Sequence, residues 1–207
     1  MARYKRMRMI VAALGLFAAT YAVAAEKPFK IRPAGKYPAH QNQGDVAVGV
    51  RPYRGQKETR EAFGKAKPYK YGVLPVLVVI TNASDHALGL ENLKVRFITS
   101  GRQGLEPVSA EDLAYFQPST TPKELPRYIP RVPGIGRPRL KKGPLAKWEI
   151  TERAFTAPVV PPKSSASGFF YYLTGRAPDP IPGSTVYLSG VRDLVRGQEL
   201  FYFEISL

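Results

Sequence analysis

No cysteine occurs anywhere in the 207-residue chain. That absence removes structural disulfides, thiolate metal sites and any cysteine nucleophile at once. It also removes the lipoprotein anchor, which is built on a cysteine at a new N-terminus. Histidine is nearly absent: His40 and His86 stand alone, and neither has a metal-ligand spacing such as H-x-x-x-H. Both read as surface histidines, one in a leader and one in a turn. Carboxylates number 16 against 31 Lys and Arg. Most fall in expected turns or helix starts, as do Glu111, Asp112, Glu149, Glu152 and Asp193. The pair Glu149/Glu152 has the residue type for glycosidic acid–base chemistry, which needs carboxyls about 5–9.5 Å apart across a cleft. Near neighbours in sequence rarely face each other in that way. No G-x-S-x-G elbow exists; Ser165-Ala166-Ser167-Gly168 comes nearest and lacks the first glycine. No S-x-x-K motif occurs either. Gly134-Ile135-Gly136 is a lone GxG without a strand before it or a helix after it, so it makes no phosphate cradle. Together these absences point away from an enzyme, and no catalytic residue, cofactor or metal is assigned.

Long apolar runs are also scarce. Beyond the N-terminus the longest is Val73 to Ile80 (VLPVLVVI), less than half of a membrane span. Its β-branched residues favour a strand over a buried helix, with Pro75 near the strand start, where a lost ladder donor costs least. The run is apolar on both faces, Val76, Val78 and Ile80 one way and Val73, Leu77 and Val79 the other. One face suits a two-layer sandwich. The other needs cover, from a helix or loop of the same chain or from a partner, and spare helical and Pro-rich segments favour internal cover. Asn82-Ala83-Ser84-Asp85 ends the run as a turn, although Asn-x-Ser is formally a glycosylation acceptor.

Residues 1–25 read as a signal peptide. Arg3, Lys5, Arg6 and Arg8 precede the apolar MIVAALGLFAA, and Ala22-Val23-Ala24-Ala25 supplies small residues at cleavage spacing. The alternative is an uncleaved anchor; either way the remainder lies outside the cytoplasm, in the periplasm or secreted. Cleavage leaves 27 bases against 16 acids, an excess of +11. In the cytosol such a charge would suggest nucleic acid. An exported chain instead meets anionic lipids, acidic polysaccharides and wall polymers.

Residues 26–44, rich in Lys, Pro and Gly, read as a flexible leader. A single domain is then expected over 45–207. DVAVGVRPY alternates with period 2, residues 56–65 favour a short helix, and NLKVRFIT (92–99) alternates with Leu93, Val95 and Phe97 inward. Ser109-Ala110-Glu111-Asp112 is a capping-box pattern opening a second short helix. GPLAKWEI reads as a helical turn running into extended chain. Four more strands are expected at 153–160, 167–174, 184–190 and 199–205, with turn signals between them. About seven strands without βαβ alternation make an Ig-like antiparallel β-sandwich the economical fold.

The stretches LPVLVVITNASDHALGLENLKVRFI, FTAPVVPPKSSASGFFYYL and ELFYFEISL resemble extracytoplasmic Ig-like domains of bacterial envelope proteins, especially an acidobacterial-type secreted family of unknown function. The likeness covers roughly 45–207 apart from 118–143 and implies fold and location, with no shared catalytic residues. One departure is Pro162-Lys163, where many such domains have Pro-Gly.

Two segments are candidates for binding. Between 118 and 143 lie Lys123, Arg127, Arg131, Arg137, Arg139, Lys141 and Lys142 against the single acid Glu124, with Tyr128 among them. Prolines keep the segment extended, and arginine forks grip phosphate and carboxylate. This Pro-rich insertion is expected either to contact an anionic envelope polymer or an acidic protein surface, or to lie over Val73, Leu77 and Val79. The second candidate is Phe169-Phe170-Tyr171-Tyr172, which must place two rings on each face of a strand. The outer pair with Trp148 would form a carbohydrate-stacking platform, unless those rings fill a core. The resulting expectation is a non-enzymatic exported envelope protein that binds or supports. A carbohydrate-binding module is the alternative, and an envelope polysaccharide hydrolase stands behind it.

Overall fold

The structure is a computed structural model and describes residues 29–117, 142–175, 180–200 and 202–207. It departs from expectation first in the polar stretch before residue 45. Ala34–Lys36 forms a 3-10 turn and Ala39–Gln43 a strand, β1. β1 pairs antiparallel with β2 (Val46–Pro52) through a two-residue turn at Gly44-Asp45. Gly44 has φ 55°, the left-handed conformation that tight hairpins demand. Ala34 and Tyr37 are buried. The leader expected over 26–44 is therefore corrected for its described part: it packs against the domain.

The elements that follow are α1 (Gln56–Phe63), a 3-10 turn over Pro68–Tyr71, β3 (Val73–Asn82), β4 (Leu88–Gly89), β5 (Lys94–Ile98) and β6 (Gly104–Leu105). Then come α2 (Ala110–Leu113), α3 (Trp148–Glu152), β7 (Val159–Val160), β8 (Ser164–Leu173), β9 (Thr185–Ser189), β10 (Arg192–Asp193) and β11 (Phe203–Ser206). Among the described residues, eleven strands thus form three antiparallel sheets, in a mainly-β, sandwich-like architecture. The seven expected strands correspond to β2, β3, β5, β7, β8, β9 and β11. Of the additions, β4, β6 and β10 have two residues each. The strand expected at 153–160 is corrected. Its start ends α3 and bridges to β8 at Ala154, leaving only β7 as a strand.

The large sheet runs β1-β2-β3-β8. Facing it are the sheets β11-β9-β5-β6 and β10-β4-β7. Leu74, Val76, Val78 and Ile80 of β3 fill the space between the layers with Val48, Val95, Phe97, Leu188, Phe203 and Tyr172. The other face of β3, Val73, Leu77 and Val79, belongs to a second core with Phe63, Leu113, Phe116, Leu145, Ile150, Phe169 and Tyr171. Internal cover of the run is thus what the structure has, and α1, α2, α3 and the N-terminal arm supply it. β3 is apolar on both faces because it is the middle layer of three.

Buried polar groups are tied in place. The Tyr171 hydroxyl donates to the Ile150 carbonyl (2.7 Å) and the Tyr172 hydroxyl to the Val95 carbonyl (3.0 Å). The Asn82 side chain, 1% exposed, donates from Nδ2 to the carbonyls of His86 (2.7 Å) and Pro161 (3.1 Å). Its Oδ1 accepts from the Ser84 N–H and hydroxyl. The Asn-x-Ser nitrogen is committed inward, as a turn-forming residue requires. Capping of α2 by Ser109 is also present, its hydroxyl accepting the Asp112 N–H at 3.1 Å.

At the rim, β1 lies beside β11. Gln43 Nε2 donates to the Tyr202 carbonyl (2.6 Å), and Gln41 Oε1 accepts the Glu204 N–H (2.7 Å). Two side-chain amides thereby occupy backbone groups of an edge strand.

Candidate functional site

Of the candidate binding residues, Arg127, Tyr128, Arg131, Arg137, Arg139 and Lys141 lie outside the described residues. Lys142 is described and exposed. The ends of the insertion are drawn together: the Gly143 N–H donates to the Ala114 carbonyl at 2.8 Å. A Cβ on Gly143 would stand 2.0 Å from the Phe116 carbonyl oxygen, so only glycine fits this approach. The insertion leaves from and returns to the helical layer.

The strand of four aromatics does not present an outer pair. Phe169 and Tyr171 are 2% and 1% exposed, with Phe169 packed edge-on to Tyr53 (5.0 Å) and tilted on Phe63 (4.7 Å). Trp148 is 62% exposed and shares no platform with them. Burial pushes the Tyr171 and Tyr172 hydroxyls far above the usual phenol value. A stack at the surface does exist elsewhere: half-buried Tyr187 and exposed Tyr202 have ring centroids 5.1 Å apart at 25°.

His86 acquires a partner that its sequence context hides. Its Nδ1 is 3.0 Å from Asp193 Oδ2. The Arg196 backbone N–H, then the His86 ring, hold the Asp193 carboxyl down at about 2. The neighbouring Ser84 hydroxyl is spent on Asn82 Oδ1 and the His86 carbonyl. This cluster fastens the 193–197 turn to the end of β3, and among the described residues no hydroxyl hydrogen-bonds the imidazole ring. Glu149 and Glu152 lie on the one short helix α3, not across a cleft. Among the described residues no three His, Asp or Glu side chains gather as metal ligands.

The feature that gathers charge is the helical side of the molecule. A groove of about 1580 Å³ runs between the N-terminal arm and α1. Lys30, Arg32 and Lys36 line it from the arm and Arg51 from β2. Lys57, Arg60 and Lys65 come from α1 and its end, and Arg153 from the end of α3. Against these eight bases the lining contributes one acid, Glu61. Its aromatic floor comprises Phe29, Tyr37 and Tyr53. The Arg153 guanidinium stands 4.9 Å from the Phe29 ring and Arg51 5.2 Å from Tyr53, cation–π contacts both. Arg153 Nη1 is buried without a hydrogen-bond partner. Arg51 also pairs with Glu58, which raises its pKa further, and burial pushes the Tyr53 hydroxyl up to about 12.

A second hollow, about 1150 Å³, adjoins the first along α1. Lys57, Arg60, Gly64 and Lys65 border both, so the bases of α1 are common to the two. The sequence carries a signal for this face: 51–70 holds seven bases (Arg51, Arg54, Lys57, Arg60, Lys65, Lys67, Lys70) against Glu58 and Glu61. Spread over a helix and the turns beside it, these bases share a face only once the chain is folded.

Comparison with protein-family models, with curated proteins and with solved structures finds no match for this chain. Among the described residues no helix is long and apolar enough to cross a membrane.

Proposed function

We propose that this protein is a non-enzymatic binding protein of the bacterial envelope, exported by its N-terminal segment, and that its ligand is an anionic envelope polymer. The observation that carries this reading is the groove between the arm and α1, with eight bases and one acid in its lining. Cations packed at that density repel one another, and a polyanion relieves the repulsion. The aromatic floor gives a sugar ring or acyl segment something to lie on between charges. The 118–143 insertion is basic in sequence and would add cations for the same ligand. Kinship with Ig-like envelope domains belongs to this proposal, and the sandwich-like architecture supports it.

The test is binding of the chain to an acidic polysaccharide and to anionic vesicles across a salt series. Affinity should fall about tenfold or more between roughly 20 and 200 mM salt, as screening of exposed charges dictates. Replacing Lys57, Arg60 and Lys65 together by Gln should weaken it comparably. Failure to bind any anionic polymer at low salt defeats the reading.

A second reading, neutral-glycan binding by stacking, draws on the Tyr187–Tyr202 pair. It requires salt-insensitive binding that is lost in Tyr202→Ala and unaffected by the triple Gln variant.

A further inference from the structure

We infer that the 193–197 turn is a membrane finger: Leu194 and Val195 at its tip enter the acyl boundary of an anionic bilayer, with Arg192 and Arg196 left among the headgroups. None of these residues lines the basic groove, and the force at the tip is apolar. The inference therefore goes beyond the anion-binding reading.

Its first support is exposure. Six large apolar side chains are exposed among the described residues, and Leu194 (51%) and Val195 (69%) are the one pair adjacent in sequence. Water against neighbouring apolar groups costs free energy that contact with an apolar phase recovers.

The second support is the backbone. A segment that leaves water for lipid must find acceptors for its N–H groups within the chain. All four at the tip have them. The Leu194 N–H donates to the Ala87 carbonyl (3.0 Å) and the Gly197 N–H to the Asp193 carbonyl (2.9 Å). Those of Val195 and Arg196 both donate to Asp193 Oδ1 at 2.9 Å. Asp193 itself is buried, and its Oδ2 lies 3.0 Å from the His86 ring, so the acceptor is anchored beneath the turn. Gly197, with φ 68°, closes the turn in the left-handed conformation. The tip is held in shape before any contact, and docking costs little ordering.

The third support is charge. Arg192 and Arg196 flank the pair and are exposed. Arg196 Nε stands 3.9 Å from Asp193 Oδ2, the limit of an ion pair. The one other acid of the hairpin, Glu199, sits at its root, bridged to Arg192. Guanidinium groups on apolar stems lie along an acyl boundary with their heads among anionic phosphates. A pocket on a protein would have to be shaped to the two side chains, whereas a bilayer takes them without shape complementarity.

The chain has no cysteine, so Val195→Cys gives a single attachment point for an environment-sensitive fluorophore. Vesicles of phosphatidylethanolamine and phosphatidylglycerol should shift the emission of that label to shorter wavelength, and brominated acyl chains should quench it. The same label on Glu111→Cys, an exposed position of α2, should not be quenched. Leu194→Ser/Val195→Ser should weaken vesicle binding about tenfold at roughly 200 mM salt, where screening leaves mainly the apolar part. Its binding to acidic polysaccharide should be unchanged. Vesicle binding without quenching at position 195, or equal binding by the double variant, overturns the insertion and leaves the anion reading standing. Binding to polysaccharide but not to vesicles does the same. Failure to bind either at low salt overturns both readings.

Discussion

Lys163 occupies a backbone conformation, φ 52°, that an L-residue adopts at a cost of about 1–2 kcal/mol. Three contacts hold it there: its N–H donates to the Ser84 carbonyl at 3.3 Å, and Nζ donates to the Ala83 carbonyl at 2.6 Å and pairs with Asp85 at 3.1 Å. Pro162-Lys163 stood out in the sequence as an unusual turn. Its compensation was invisible there, because the holding groups lie 80 residues upstream. The pairing is largely exposed and worth little. Lys163→Gly should therefore unfold in urea within about 1 kcal/mol of the parent, while Lys163→Val, β-branched at positive φ, should lose about 2 kcal/mol or more. Equal midpoints for the two variants would show that the turn is not strained. His86 teaches the same lesson about distance. Scanning for metal spacing examines near neighbours, and the group that holds this ring, Asp193, is 107 positions away.

Elements were legible where a period or a long β-branched run sets them apart. β3, β5 and β11 fall where alternation and two-sided greasiness place them. β4, β6, β7 and β10, of two residues each, are shorter than any period. β1 reads AHQNQ and carries no apolar alternation, since it is an edge strand whose glutamines serve β11. For α1 the helix was legible and its purpose was not. Phe63 is fully buried, with its ring 4.7 Å from Phe169 and 6.2 Å from Tyr171. Phe63→Ala should cost about 3–5 kcal/mol by urea denaturation. Loss below 1 kcal/mol would mean that the helical layer is not part of the cooperative core.

At the scale of the whole molecule, charge is the dominant fact. The excess of +15 over the chain was plain from composition. Its concentration on one side was not, because the groove draws on residues 30–36, 51–65 and 153, which only folding brings together. Crowding of like charge opposes compaction. Raising salt from about 20 to 200 mM should therefore raise the thermal midpoint while it weakens polyanion binding. A midpoint that falls over that range would mean that attractive pairs outweigh the basic face. The rim where β1 meets β11 bears on company rather than on charge. Gln41 and Gln43 sit where an incoming ribbon from another copy would have to dock, and an exposed sheet margin is the usual template for fibrous growth. With the Tyr202 carbonyl and the Glu204 N–H already plugged by two carboxamides, this margin offers a neighbouring molecule two fewer sockets to zip onto.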